Sequence, residues 1–143
     1  MYTVQRSALV LHSASNMAKL VNDVDRYEEF LPWCRKSEVI SCLTDQMVAR
    51  LSIAIGGINQ SFTTKNEMFG DEKTTMSLVD GPFRSLFGVW TFKALEANAS
   101  KIELDLKFEF SNFMIEKAIG PVFKSMADSM VNSFCERADA VYH

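Results

Sequence analysis

The side chains of this chain that could run acid–base chemistry are His12, Asp23, Glu67, Glu103, Asp105 and Glu109. General catalysis needs a base within hydrogen-bond reach of the reacting group and a further group to orient it. Glu103, Asp105 and Glu109 alternate with Ile102, Leu104, Leu106, Phe108 and Phe110, the pattern of a solvated strand face. Asp23 stands at the end of a helical segment, where a structural role is expected. His12 has no orienting partner visible along the sequence, and the second histidine, His143, is the last residue. The three cysteines, Cys34, Cys42 and Cys135, show no CxxC spacing, and no Cys/His spacing supports a metal site. The pattern therefore predicts no catalytic residue, no metal ligand and no cofactor.

What the sequence offers instead is apolar surface. The stretch VNDVDRYEEFLPWCRKSEV, residues 21–39, closes on Phe30-Leu31-Pro32-Trp33-Cys34. Large apolar residues beside a proline either plug a core or line the mouth of a pocket, and Trp33 is the candidate for the mouth. Phe (11) and Met (8) are abundant against 3 Tyr, a bias that suits an adaptable apolar space. With 15 basic and 18 acidic residues the net charge is −3, which gives no bulk attraction to nucleic acid and excludes DNA as an expected partner. Lysine and arginine are scattered, and Arg35, Lys36 and Arg84 are the candidates for a local basic patch. At 143 residues the chain is expected to form one domain, 1–143, with a single sizeable core. Unpaired cysteines, no leader pattern and no apolar run near the ~18 residues that span a bilayer predict a reduced, cytoplasmic protein whose membrane contact is at most transient.

The elements that must position these residues read clearly. Thr3–Leu11 is a strand. Ser13 caps a helix over Ala14–Asn22, and a short helix over Asp25–Phe30 ends at Pro32. Extended segments follow at Glu38–Leu43, Gln46–Ile55, Gln60–Phe69, Thr74–Leu78, Val89–Leu95 and Lys101–Ser111, punctuated by Thr44-Asp45, Gly56-Gly57, Gly70-Asp71 and Asn98. Asn112 or Ser111 caps a long last helix with an apolar stripe of Ile115, Ile119, Val122, Phe123, Met126, Met130, Phe134, Ala138 and Val141, and Gly120-Pro121 predicts a kink within it. A seven-stranded antiparallel sheet curled around one helix leaves space between them.

Side chains expected at that space are Phe30, Trp33, Phe62, Met76, Leu78, Trp90, Phe92, Phe108 and Phe110 from the sheet side, and Ile119, Phe123, Met126 and Met130 from the last helix. Phe83, in an expected loop Asp80-Gly81-Pro82-Phe83-Arg84, would fold over the cavity as a lid, with Arg84 able to donate to a ligand carbonyl. Each of these residues serves a plain core equally well.

Several motifs in order carry a resemblance that covers nearly the whole chain: Val21-Asn22-Asp23-Val24 with Tyr27; Phe30-Leu31-Pro32 and Cys34; Phe62-Thr63-Thr64-Lys65-Asn66; Val79-Asp80-Gly81-Pro82-Phe83 followed by Leu86, Gly88, Trp90 and Phe92; and Phe108-Glu109-Phe110. The chain resembles the helix-grip START-like superfamily, related to the polyketide cyclases. Within it, the chain is similar to the branch of coenzyme Q-binding proteins and the ribosome association toxin RatA. The resemblance implies an α+β helix-grip fold, with two short helices after the first strand. It implies two activities: non-catalytic binding of a ubiquinone-like isoprenoid lipid in support of cellular respiration, or association with the large ribosomal subunit that blocks subunit joining. A ribosome blocker would use Arg35, Lys36 and Arg84. Fold alone does not choose between them.

Overall fold

The computed structural model describes residues 1–55 and 57–142. The chain runs β1 (Tyr2–Val10), α1 (Ala14–Asn22), a 3-10 helix (Val24–Glu29), β2 (Cys34–Cys42), β3 (Gln46–Ile55), β4 (Ile58–Phe69), β5 (Lys73–Asp80), β6 (Phe83–Glu96), β7 (Ala99–Phe110) and α2 (Phe113–Val141). The seven strands form one antiparallel sheet in the order β1-β7-β6-β5-β4-β3-β2, so the first strand crosses to pair with the last. The α+β helix-grip architecture expected from the sequence is present. Of the expected hairpin turns, Gly56 lies outside the described residues, as does His143.

The helices start where their caps dictate. Ser13 Oγ accepts from Asn16 N at 3.1 Å, and α1 then buries Ala14, Met17, Ala18, Leu20 and Val21 along one face. Asn112 Oδ1 accepts from Ile115 N at 2.9 Å and opens α2, which runs from Phe113 to Val141 with Pro121 inside it. The side chain of Pro121 is on the exposed side. Spacing by three and four residues places Ile119, Phe123, Met126, Ala127, Val131, Phe134 and Ala138 against the sheet.

Two strands begin four or more residues earlier than their sequence pattern suggests. β2 starts at Cys34 rather than Glu38, because Cys34 N closes a turn onto Leu31 O at 3.0 Å and Trp33 O accepts from Ala54 N at 2.9 Å. β6 starts at Phe83 rather than Val89. A register shift between Phe83 and Ser85 breaks the two-residue alternation there, which hides the first half of the strand from a periodicity argument.

The sheet is unevenly filled. On β6 and β7 the inner face carries Phe83, Trp90, Phe92, Phe108 and Phe110, all buried. α2 lies closest to this side, against β1 and β7. Gly120 allows the approach: a Cβ there would stand 2.8 Å from Tyr2 Oη, whose ring stacks on Phe108 at 5.1 Å. At the middle of β3 and β4 the inner face carries Ala49, Thr64 and Asn66, which reach less far. A helix held close on one side by large aromatics therefore leaves a gap on the other.

Candidate functional site: a carbon-lined cavity under the last helix

That gap is a cavity of about 50 Å³ between β3–β7 and α2. Its floor is a cross-strand row, Met47–Asn66–Met76–Gly88–Leu106–Val4, from which Asn66, Met76 and Leu106 reach the cavity. Ala49, Leu51, Phe62, Thr64 and Leu86 complete the sheet side, and Val24 and Tyr27 close one end. The roof is Phe123, Met126, Ala127 and Met130, at helical spacing. A second, smaller cavity is bounded by Ile53, Gln60, Ile119 and Val122 and shares Phe123 and Met126 with the first. Those two side chains are the partition between them.

The wall is almost entirely carbon. Tyr27 turns its hydroxyl away to donate to Val21 O and shows the cavity only its ring. Burial, with Asp23 and Cys34 adding to it, holds its phenol far above the ordinary value. The polar exception is a pair: Thr64 Oγ1 donates to Asn66 Oδ1 at 2.8 Å, and both residues are buried. Among the described residues no lysine, arginine, aspartate or glutamate lines the space.

Among the residues expected at a ligand, Phe62, Met76, Phe123, Met126 and Met130 line the main cavity, and Ile119 the smaller one. Phe83, Phe108 and Phe110 are locked with Phe62 and Phe123 in an aromatic cluster with ring centroids 4.9–6.1 Å apart. Phe83 is 6% exposed and belongs to β6, so it is a core side chain and not a lid, and only Gly81 and Pro82 form the turn. Trp90, Phe92 and Phe30 pack elsewhere in the core: Trp90 lies parallel to Phe92, and Phe134 stands edge-on to Trp90 and to Phe30. Trp33 is buried away from the cavity, and Leu78 packs against the core edge. Arg84 is exposed and faces Glu109 at 3.6 Å, out of reach of any buried ligand.

Sequence reasoning missed Val24, Tyr27, Ala49, Leu51, Thr64, Asn66, Leu86, Leu106 and Ala127. The findable signal was Thr64 and Asn66, polar residues in phase with Phe62 on one strand.

The acid–base candidates are scattered. Glu67 sits between Gln46 and Thr75 in the sheet, one residue out of phase with Asn66. Asp23 joins α1 to the 3-10 helix. His12 does have a partner after all: its Nε2 lies 2.7 Å from Asp139 Oδ1, a pair that bridges the start of α1 to the end of α2 and does not touch the cavity. The Cys34 thiol is pushed up to about 11 by burial, with Glu28 adding to it, which removes it as a nucleophile at neutral pH. Among the described residues no three His, Cys, Asp or Glu side chains gather as a metal site. Arg35 and Lys36 on β2 and Arg84 on β6 have β3, β4 and β5 between them, so these three basic residues form no common patch.

Known proteins match this arrangement along nearly its full length. Residues 10–135 match the family described as polyketide cyclase / dehydrase and lipid transport. Ribosome association toxin RatA of Vibrio cholerae is 49% identical over 142 residues, covering 99% of both chains. The mitochondrial coenzyme Q-binding protein of Drosophila melanogaster is 27% identical over 135 residues, 92% of this chain and 56% of its own length. The Zhui aromatase/cyclase from Streptomyces superposes with a TM-score of 0.83 at 16% identity, over 96% of this chain and 93% of that one, which speaks to fold alone. The chain belongs to the polyketide cyclase / dehydrase and lipid transport family and, within it, to the branch of the RatA toxins and the coenzyme Q-binding proteins.

Proposed function

We propose that this protein is a non-catalytic ribosome-associating toxin of the RatA type, which docks on the large ribosomal subunit and blocks subunit joining. The carrying observation is the 49% identity to a protein of that name over 99% of both chains. Cavity size points the same way. Engineered apolar cavities that accept benzene are about 150 Å³, whereas this one is about 50 Å³ and holds no quinone ring unless its wall moves.

One surface row has the chemistry to meet ribosomal RNA. On the outer face of the sheet Lys65, Ser77, Phe87 and Lys107 stand side by side on β4, β5, β6 and β7. Phe87 is 49% exposed, and neither lysine has a carboxylate partner among the described residues. An exposed ring between two cations can stack on a base while the lysines meet phosphates. Lys36 and Arg84, by contrast, each face a glutamate at 3.9 and 3.6 Å.

Co-sedimentation with purified large subunits across a salt series tests this reading. Binding should weaken steeply with salt, and Lys65→Glu with Lys107→Glu should lower both affinity and the salt slope, by about one unit of slope per lost phosphate contact. Full-strength binding by the double variant would remove this surface from the proposal, and no binding by the parent protein would remove the function.

A second reading has its own observation: a buried, carbon-walled space with one polar pair is the form of a small-molecule site. Under it the cavity takes a neutral apolar ligand of the ubiquinone class. Met76, Met126 and Met130 supply the movable wall, because unbranched thioether chains change rotamer at low cost. Rotation of Phe123 and Met126 would join the two cavities into a longer slot. Native mass spectrometry of protein from its own host, followed by lipid extraction, tests it: a co-purified isoprenoid supports the reading, and an empty protein that refuses added short-chain quinone ends it.

A further inference from the structure

We propose that Asn66 is the polar anchor of the cavity and that its amide nitrogen selects an uncharged ligand carrying a carbonyl oxygen. The inference rests on the ligand-binding reading above and adds the residue that recognises the ligand's polar end. Asn66 is 6% exposed, in the middle of β4 between Met47 and Met76. Asparagine is poorly suited to the inner face of a strand, and an unpaired amide in an apolar wall is destabilising.

Its geometry assigns one end of the amide to the protein and leaves the other free. Thr64 Oγ1 donates to Oδ1 at 2.8 Å, which fixes the orientation of the amide plane. With Oδ1 occupied, Nδ2 is the end that remains, and among the described residues it makes no hydrogen bond. Buried nitrogens that are sealed and unpartnered occur at Trp33, Trp90 and Arg137, but Asn66 is not one of them. Its Nδ2 therefore opens on the cavity that the residue lines. The cavity thus offers a neutral N–H donor, fixed in place by a threonine, in a wall of carbon.

That donor chooses among ligands. A ketone or quinone oxygen satisfies it without bringing charge. A carboxylate or phosphate would be stripped of water with no lysine or arginine on the wall to compensate, which disfavours fatty acids and phospholipid headgroups. A hydrocarbon of the same shape would leave the amide unpaired.

The test compares three probes on one protein: decylbenzoquinone, decylbenzene and decanoate, titrated by calorimetry. The parent protein should bind decylbenzoquinone at least about tenfold tighter than decylbenzene and should not bind decanoate. Asn66→Leu should bring the two neutral probes within about threefold of each other by weakening the quinone alone, and Thr64→Val, which frees the amide to turn, should lower the preference part of the way. Because the preference is a ratio measured on the same sample, a reduced folded fraction does not change it. Asn66→Ala gives the same comparison should the leucine variant fail to fold. Equal binding of both neutral probes by the parent protein, or an undiminished preference in Asn66→Leu, overturns the anchor while leaving the ligand-binding reading standing. Refusal of all three probes by the parent protein overturns both.

Discussion

Replacing Gly88 by alanine is the sharpest probe of whether the cavity wall yields. Gly88 lies on β6 between Met76 and Leu106 in the row that floors the cavity. A Cβ at Gly88 would fall 2.6 Å from the Met76 methyl and 2.9 Å from Leu106 Cδ1. Both atoms are the far ends of flexible chains, and both chains line the cavity. The methionine methyl is expected to swing into the 50 Å³ space. A methyl group is about the size of one water molecule, so it would take up much of that space. On stability, one more buried methyl contributes about 0.8 kcal/mol, and the lower backbone entropy of alanine in a strand adds about 0.5–1 kcal/mol. Repacking costs about 1–3 kcal/mol, so the net change should fall between a gain of about 0.8 and a loss of about 1.7 kcal/mol. For a ligand, losing the burial of one methylene costs about 0.8 kcal/mol, or about fourfold in affinity, before any cost of moving Met76 back. Urea unfolding followed by tryptophan fluorescence reads the first quantity, and titration with decylbenzoquinone reads the second. A loss of more than about 2 kcal/mol at an unchanged denaturant slope would mean that Met76 is a fixed wall, and the reasoning about an adaptable cavity would fail.

Three further expectations follow from the packing and the charges. Phe134 is fully buried and meets Tyr27, Phe30 and Trp90 edge-on at 5.2–5.3 Å, so Phe134→Ala should cost about 3–5 kcal/mol in urea unfolding. The Glu29 carboxyl is held below its ordinary range by hydrogen bonds from Arg137 and Arg26. Its stabilising effect is therefore complete above the unfolded carboxylate value and is lost as pH falls through the lowered folded one; Glu29→Gln should flatten that part of the acid limb in pH-dependent unfolding. Iodoacetamide at pH 8 should label the exposed Cys42 first and Cys34 last, since burial holds the Cys34 thiol at about 11, and peptide mapping of the partly labelled protein by mass spectrometry checks the order.

The legibility of the sequence tracked how local each feature is. β7 and both α-helices were readable because their alternation or stripe is complete within the element and their caps, Ser13 and Asn112, are one residue away. The first half of β6 was not, because the shift at Phe83 puts its apolar residues out of phase. Which aromatics line space and which fill it was also hidden. Phe108 is core because Tyr2 stacks on it, while Phe62, an aromatic of the same type, borders the cavity beside Leu51. Asn66 and Thr64 looked like surface by chemistry and turned out to be interior by phase. The His12–Asp139 pair spans 127 positions of sequence and left no local trace.

The pairing of β1 with β7 has a consequence for how the chain is made. Val4 waits for Leu106 as its partner. During synthesis at ~5–20 residues per second, the roughly 100 residues between them take about 5–20 seconds to emerge. For all that time the nascent β1 has no sheet to join, and its edge is open to pairing with other chains. β7 and α2 are synthesised last, so the inner face of β2 to β6 is covered only as translation ends. The fold is therefore expected to lock in a late, cooperative step, and truncation within α2 should yield a species captured by chaperones.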